Sequence, residues 1–479
     1  MLRGVISISL LSFMVGCGRD AVGPSTAQPS FAGTSLRLSI EQGSPLSEAL
    51  RLRVPEWEAR TGAKVTVTED AVVDGEADMA ACTGTALAEL PARKFLSAEF
   101  KRKADVGFVN IPYLHQTAFG ARSGEPIAIP LAVEQLLLWY RADLFADARL
   151  QESYSSQFKQ RLAPPKTWDE YVRVAKFFLD SKAVKYGCVE AFNPDAAGLH
   201  GFFARAASFS EDPRSTPFDV ADGRSRLGDP EYAKAADNLV TSLACSPASG
   251  GKYVSEAEAR KTFATGDAAM ILVASPPTSH PSLKVAAGFN DKLGVAPLPA
   301  SPLVYSAKSK AWRDRNLKNE EIPAAPYFAS TGHYLSLSDK SSGTAAAENL
   351  LIFLSSATDN AYLVQGARMG LTPAREELLN DSGRFAGGFG LSVKLTADYF
   401  TLVREGLRPK RWSSDLRVEK SAGFLKSLFQ ELRLAASGSK TTTDALAVAH
   451  DAWRIELDKR GETFVEEFRM SQGFSPRMK

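Results

Sequence analysis

The sequence predicts an α/β protein built on two parallel sheets, each covered by helices on both faces. Strand and helix patterns alternate over more than about 300 residues, as in parallel sheets with crossover helices. The chain has 479 residues, of which 44% are hydrophobic and 23% charged. It is therefore long enough for two domains or one large α/β unit. No internal sequence repeat is found.

The first residues predict export and a membrane anchor. Arg3 precedes an apolar stretch over 5–15 that is too short to span a bilayer, and Gly16 precedes Cys17. Met-Val-Gly-Cys over 14–17 resembles a bacterial lipobox, which implies a signal peptide over 1–16 and a lipid on Cys17. The alternative is an ordinary secretory signal with a chance cysteine. Residues 17–35, rich in Gly, Pro, Ser, Thr and Ala, predict a flexible tether.

The folded part begins with a predicted β-α-β unit. Alternating apolar residues indicate a strand over 36–40, and Ser44 or Ser47 can cap a helix that stops at Gly62. Further strands are expected over 64–68, over 105–109 and within 127–140. In the second half, Thr167 and Glu170 predict a capping box at a helix start. Later elements are expected as strands over 186–190, 268–274 and 293–298, helices over 255–265 and 345–354, and mainly helix to about 461.

Composition excludes several classes of function. The net charge is +2 with both signs interspersed, so a nucleic-acid partner is not expected. Cys82, Cys188 and Cys245 show no CxxC spacing, so at most one disulfide can form among them and no zinc site of cysteines is indicated. No later stretch has the roughly 20 apolar residues of a membrane span, so the tether is the only expected anchor.

Four segments, in order along the chain, resemble the extracellular solute-binding proteins of carbohydrate ABC transporters. The most specific pair is Ile129-Pro-Leu-Ala-Val-Glu-Gln-Leu-Leu-Leu-Trp-Tyr over 129–140 and Pro-Pro-Lys-Thr-Trp-Asp-Glu-Tyr over 164–171. The full set of segments is 54–67, 129–145 with 164–171, 263–270 with 294–299, and 348–354 with 370–375, extended by 437–446. They span nearly the whole expected mature chain.

The resemblance implies a periplasmic-binding fold of type II, with two doubly wound lobes joined by a hinge and a helical C-terminal extension. Its expected division is 36–138 for lobe 1, 139–293 for lobe 2, 294–340 again for lobe 1 and 341–479 again for lobe 2. The chain would cross between lobes near 137–142, near Leu293 and near Leu335. A monomer would hold a small polar solute in the cleft and deliver it to membrane permeases, without a cofactor.

The resemblance also implies where the solute is contacted. Glu134 matches a sugar-contacting carboxylate, although a structural hinge carboxylate is the alternative. Further expected contacts follow other strands and loops: Glu41, Gln42, Ser44, Asn110, Tyr113, Asn193, His200, Ser275, His333 and Trp412. Four of these have plain structural alternatives, namely helix capping for Ser44, packing for Tyr113, a satisfied structural histidine for His200 and core closure for Trp412.

The departures from the family's pattern bear on the cargo. Ser275-Pro-Pro replaces the aromatic platform that relatives stack on sugar, and Leu425, Lys426, Phe429 and Val109 replace other contacts of maltodextrin-binding relatives. A smaller sugar, a polyol or a non-sugar solute stays open, and the inserted segment 303–325 could cover part of the cleft.

An enzyme is the main alternative from another class. The sequence contains no Gly-x-Ser-x-Gly elbow, no His-Glu-x-x-His and no Walker loop, and its five histidines are scattered. A metal-transport protein of this fold would need paired tyrosines in the cleft, and the sequence contains no adjacent pair of tyrosines. A sensor subunit that presents the solute to a receptor is left open by the sequence.

Overall fold

The computed structural model describes residues 30–70, 73, 76–90, 93–96, 110–212, 214, 216–280, 283–315, 325–366, 370–408 and 411–474. The expected signal peptide, Cys17 and the strand predicted over 105–109 lie outside the described residues. Within the described ranges, no helix is long and apolar enough to cross a membrane. The described cysteines, Cys82, Cys188 and Cys245, are buried and free.

A six-stranded sheet forms the first lobe. Its strands in spatial order are β14 (Thr372–Pro373), β6 (Ala128–Val133), β13 (His333–Leu337), β3 (Met79–Thr83), β1 (Ser35–Glu41) and β2 (Lys64–Asp70). β1 pairs in parallel with β2 and β3, and β13 runs antiparallel to β3 and β6. The helices that pack on it are α1 (Ser47–Thr61), α2 (Gly84–Glu89), α9 (Thr344–Ser355) and α10 (Ala357–Gly366).

Helix α1 has the predicted end but not the predicted start. It ends at Gly62, whose φ of 75° is the left-handed conformation that glycine adopts without steric cost. Leu46 occupies the N-cap position without a side-chain hydrogen bond. The Ser44 hydroxyl instead accepts a hydrogen bond from the Leu46 amide at 3.3 Å, so it orders the turn before the helix.

A smaller sheet forms the centre of the second lobe. Its strands are β8 (Met270–Val273), β7 (Leu137–Arg141) and β9 (Leu293–Ala296), and β7 runs antiparallel to both neighbours. The segment predicted as a strand over 186–190 contributes single parallel bridges from Tyr186 and Val189 to the β8 region. The surrounding helices are α3 (Ala142–Ala146), α4 (Ala148–Phe158), α5 (Trp168–Asp180), α6 (His200–Phe209), α7 (Pro230–Leu243) and α8 (Glu256–Ala264).

The two-lobed α/β fold is the predicted one, but the expectation of wholly parallel sheets is wrong. In the large sheet, β13 and β14 belong to the pass after the chain has returned from the second lobe, and both insert beside β6 of the first pass. Such strands need no right-handed crossover helix, so they are free to pair antiparallel.

The places where the chain changes lobe differ from the expected boundaries. β6 lies in the large sheet and β7 in the small one, so the first crossing is at 134–136. β9 stays in the small sheet, which corrects the crossing expected near Leu293. The second crossing is at β12 (Tyr327–Phe328), which pairs in parallel with β15 (Ser413–Ser414). α9, α10 and β14 therefore remain with the first lobe, which corrects the boundary expected at 341.

Two hairpins decorate this framework. β4 (Ala121–Arg122) and β5 (Glu125–Pro126) form a small hairpin on the first lobe. β10 (Leu303–Ser306) and β11 (Ala311–Asp314) form the described part of the 303–325 insertion. That hairpin packs on α6 and α7, with the Glu211 amide donating to the Tyr305 carbonyl at 2.9 Å.

The C-terminal part is helical, as predicted. It comprises α11 (Ser382–Phe389), α12 (Val393–Gly406), α13 (Ser421–Ala436) and α14 (Thr442–Ser471). α13 and α14 pack on each other and on α7 of the second lobe. Trp453 anchors this packing, because its ring contacts Phe218 and Phe424 and its indole N–H donates to the Phe424 carbonyl at 2.9 Å.

Candidate functional site

A buried carboxylate and imidazole mark the junction of the lobes. Asp415, 4% exposed, follows β15 directly. His200 is the first residue of α6, and its Nε2 lies 3.1 Å from one oxygen of Asp415. The same oxygen accepts a hydrogen bond from the Ser330 amide at 2.6 Å. Its other oxygen accepts from the Tyr327 hydroxyl at 2.7 Å. Segments from all three of β12, β15 and α6 are thereby fixed to one carboxylate.

The electrostatics of this pair follow from its burial and its neighbours. Burial alone would lower the pKa of His200, but Asp415, with smaller effects from Glu256 and Glu134, raises that pKa above its ordinary value. Burial would likewise raise the pKa of Asp415, but His200 and the hydrogen bonds from Tyr327 and Ser330 hold it below its ordinary range. Each charged form therefore stabilises the other, and the structural alternative for His200 is part of its role.

Glu134 provides a carboxylate at the first crossing. It follows β6 directly, and its side chain is 20% exposed. Oε1 lies 3.8 Å from Nε2 of His333, the first residue of β13. His333 is 4% exposed, and its Nδ1 has no hydrogen-bond partner among the described residues. Two predicted ligand contacts thus face one another, one with free acceptor capacity and one with an unused ring nitrogen.

The second lobe brings a guanidinium and a further carboxylate to the same junction. Arg260, on α8, is buried and donates to Glu256 Oε1 at 2.8 Å. It also donates to the Ser275 hydroxyl at 2.7 Å and to the Pro276 carbonyl at 2.9 Å. Burial would raise the pKa of Glu256, but Arg260 and then His200 lower it. Ser275 therefore lies beside the junction, held by Arg260.

These groups are called the interlobe cluster from here on, and its members are Glu134, His200, Glu256, Arg260, His333 and Asp415. Tyr399 of α12 borders it, since its ring lies 5.3 Å from the Trp139 ring and its hydroxyl pairs with Thr372. Burial raises the pKa of Tyr399, and Glu134 and Arg260 both act on it electrostatically. Carboxylates that accept and cations that donate, side by side, suit a ligand carrying several hydroxyl groups.

Three other predicted residues lie around a cavity of about 600 Å³. Tyr113, 77% exposed, and Trp412, 6% exposed, both line it, together with Arg214, Glu376, Arg408 and Gly473. Asn110 borders it, because its carbonyl accepts from the Glu376 amide at 2.8 Å. Trp412 packs edge-on against Phe119 at 5.0 Å, so it closes the core while also facing the cavity.

The remaining predicted contacts are engaged locally. The Glu41 carboxylate accepts from the Thr83 amide at 2.7 Å, which ties β1 to the end of β3. Ser44 bonds the Leu46 amide, as described above, and Gln42 is exposed. The Asn193 amide donates to the Asp195 carboxylate at 2.8 Å within the loop before α6. In the structure, Glu41 and Ser44 have roles in the first lobe and Asn193 has one in its own loop.

Asp415, Glu256, Arg260 and Tyr399 were not among the predicted residues. Glu256 and Arg260 lie on a polar helix whose sequence is typical of a solvated surface. Asp415 offered one signal, a lone carboxylate in the segment Trp-Ser-Ser-Asp-Leu over 412–416, between Arg411 and Arg417. No group of three or more His, Cys, Asp or Glu side chains within the described ranges could hold a metal ion.

The comparison with known families defines the class of protein. Residues 43–361 match the model of the bacterial extracellular solute-binding protein family, so the chain belongs to that family. Its members bind solutes and are not enzymes, which confirms the prediction of a binder. The search of curated proteins found no match.

Solved structures share the fold over most of the chain. Maltose-bound MalE3 of T. maritima has a TM-score of 0.63 at 19% identity, covering 88% of this chain and 100% of its own. An ABC transporter solute-binding protein from Agrobacterium radiobacter, in complex with ribitol, has a TM-score of 0.64 at 18% identity, with coverages of 89% and 100%. A solute-binding protein from Agrobacterium vitis, with bound D-mannitol, has a TM-score of 0.63 at 15% identity. The match covers 89% of this chain and 99% of that protein.

Proposed function

We propose that this chain is the solute-binding subunit of an ABC importer, that it captures a small sugar or polyol between its lobes, and that it delivers the solute to permease subunits. The observation that carries the proposal is Glu134, a partly exposed carboxylate at the first crossing, 3.8 Å from a buried histidine with an unused ring nitrogen. A hydroxylated solute would donate a hydrogen bond to Glu134, which lies beside His333 at the end of a neighbouring strand of the first-lobe sheet.

The chemistry of the pocket supports a small solute over a maltodextrin. Where relatives have an aromatic platform, Ser275 bonds Arg260 instead. Leu425 and Phe429, at positions matched to maltodextrin contacts, are core residues, and the Phe429 ring lies 4.9 Å from Phe192. Long sugars need stacked rings along a groove, whereas a polyol needs paired hydrogen bonds. The ribitol and mannitol complexes of proteins with this fold fit that preference.

The proposal also includes the lipid on Cys17 and a monomeric, membrane-tethered body. A lipid would keep the binding protein at the membrane surface, so the captured solute would be concentrated near the permease. Delivery follows if the solute contacts both lobes only in the closed form, since the permease then recognises the loaded shape.

A thermal-shift screen with ribitol, D-mannitol, glucose, maltose, amino acids and divalent metals tests the proposal. A solute at 100 times its dissociation constant stabilises the folded state by about 2.7 kcal/mol. We expect a shift with a polyol or monosaccharide, and expect Glu134→Gln to abolish it while the solute-free melting temperature stays near that of the wild type. A shift with amino acids or metals alone would contradict the proposed cargo.

Glu41→Gln is the matched control. It changes a carboxylate of the same lobe that bonds Thr83 rather than the crossing. We expect this variant to melt at a lower temperature without solute and to retain the solute-induced shift. Loss of the shift in both variants would place Glu41 in the solute site as well.

A further inference from the structure

We infer that residues 462–474, called the strap from here on, tie the two lobes together and hold them in the arrangement that the structure shows, even without solute. The inference concerns the motion of the lobes and rests on the fold, not on the identity of the cargo. It is carried by a break in α14, by hydrogen bonds from the strap to both lobes and by one tightly packed glycine.

The break lies at Gly461. Its φ of 62° and ψ of −155° fall in a region of backbone space that is open essentially to glycine alone. Before the break, α14 lies on α13 and α7 of the second lobe. After it, the chain takes a new direction, which separates the strap from the helix that precedes it.

The strap is anchored to the second lobe by side chains between α6 and α7 and on the strap itself. Arg469 donates to the Val220 carbonyl at 2.8 Å, and Arg214 donates to the Gln472 carbonyl at 3.3 Å. The Arg214 guanidinium also lies 4.4 Å from the centre of the Phe474 ring. Phe464 and Phe468 pack their rings against Phe218, so the anchor is apolar as well as polar.

The other side of the strap contacts the first lobe. The Ser123 amide, in the β4–β5 hairpin, donates to the Met470 carbonyl at 3.3 Å. Gly473 packs so closely on the first lobe that a Cβ added there would lie 2.4 Å from the Thr117 carbonyl oxygen. Cavities of about 330 Å³ and 600 Å³ flank this contact, the first lined by Met470 and the second by Gly473. The strap therefore crosses the space between the lobes.

Arg417 joins the strap to the first lobe from within. It is 2% exposed and donates to the carbonyls of Ser471, Phe119, Ala118 and Gly84, at 2.7, 2.8, 2.9 and 3.2 Å. Ser471 belongs to the C-terminal turn of α14, whose carbonyls carry partial negative charge and so favour a cation. Separating the lobes would strip a buried guanidinium of several acceptors at once, which is unfavourable.

Two glycine variants isolate this contact. Gly473 and Gly438 have nearly the same φ, 78° and 75°, but a Cβ at Gly438 would meet no atom within 4 Å. Both variants therefore place a Cβ on a residue with a left-handed φ, and only Gly473→Ala also pushes the strap off Thr117. Small-angle X-ray scattering of the solute-free, full-length protein then reports the separation of the lobes.

We expect Gly473→Ala to have a larger radius of gyration than the wild type, and Gly438→Ala to match the wild type. Deletion of 462–479 should increase the radius of gyration at least as much. Hydrogen exchange supplies a second measurement, because the Ser123 amide should exchange faster in Gly473→Ala and not in Gly438→Ala. Equal radii together with unchanged Ser123 exchange would overturn the inference. Both measurements omit solute, so a failed cargo screen leaves their outcome intact.

Discussion

At the scale of single residues, the site depends on charges that are buried together. Asp415 accepts hydrogen bonds from Tyr327 and a backbone amide and pairs with His200, and Glu134 lies beside His333 on the neighbouring strand. Leaving any one of these groups buried and unpaired would destabilise the fold, since desolvation is then no longer offset. The residues that order the junction therefore include those proposed to contact the solute.

The His200–Asp415 pair predicts a pH dependence of stability. Because the folded pKa of His200 is raised, its contribution is fully present below the unfolded value of about 6.5 and is lost as pH rises through the folded pKa. The pKa of Asp415 is lowered, so its contribution is lost only well below pH 5. Urea unfolding of wild type and His200→Gln from pH 5 to 9 should show a difference that shrinks as pH rises.

The difference between the two proteins is the quantity to follow. His115, whose pKa burial lowers to about 3, and His280, whose pKa is also lowered, destabilise the fold as pH falls, but equally in both proteins. A stability difference that stays constant from pH 5 to 9 would show that the pKa of His200 is the same in the folded and unfolded protein, which would contradict the raised pKa.

At the scale of elements, local signals decide where helices begin. Thr167 accepts from the Glu170 amide at 3.1 Å, and Ser255 accepts from the Glu258 amide at 3.2 Å, each within a complete capping box. The two boxes are chemically alike, but α8, which follows Ser255, carries Glu256 and Arg260 of the interlobe cluster. α5, which follows Thr167, carries no member of it.

This difference predicts distinct results for Ser255→Ala and Thr167→Ala. Each variant should lose about 1 kcal/mol of unfolding free energy in urea, since each removes one helix cap. Only Ser255→Ala should also weaken solute binding in isothermal titration calorimetry, because the first turn of α8 positions Glu256. Equal affinities in the two variants would mean that α8 is held by Arg260 and its packing alone.

At the scale of the whole molecule, two sets of contacts set the arrangement of the lobes. The crossing segments join the lobes on one side, and the strap spans them on another. A solute that binds this arrangement of the lobes would have to supply less free energy, because the strap already stabilises the arrangement. The tether expected over 17–35 would set the position of this body relative to the membrane.

Cys17→Ser tests the anchor. If Cys17 carries a lipid, the wild type should sediment with membranes and the variant should be found in the soluble extracytoplasmic fraction, with the same solute-induced thermal shift. Both proteins in the membrane fraction after a high-salt wash would contradict the anchor, while both in the soluble fraction would favour the ordinary secretory signal.

The sequence by itself determined the family, the β-α-β start, the capping box at Thr167, the stop at Gly62 and the position of Glu134. All of these depend on residues a few positions apart or on a segment matched as a whole. Only the tertiary structure decided that β9 belongs to the second lobe, that β12 pairs with β15, and that the charges of Asp415, Glu256 and Glu134 act on His200. The reason is physical. Strand partners and buried ion pairs depend on packing between segments far apart in sequence. A local sequence pattern does not determine which distant segment will pack against it.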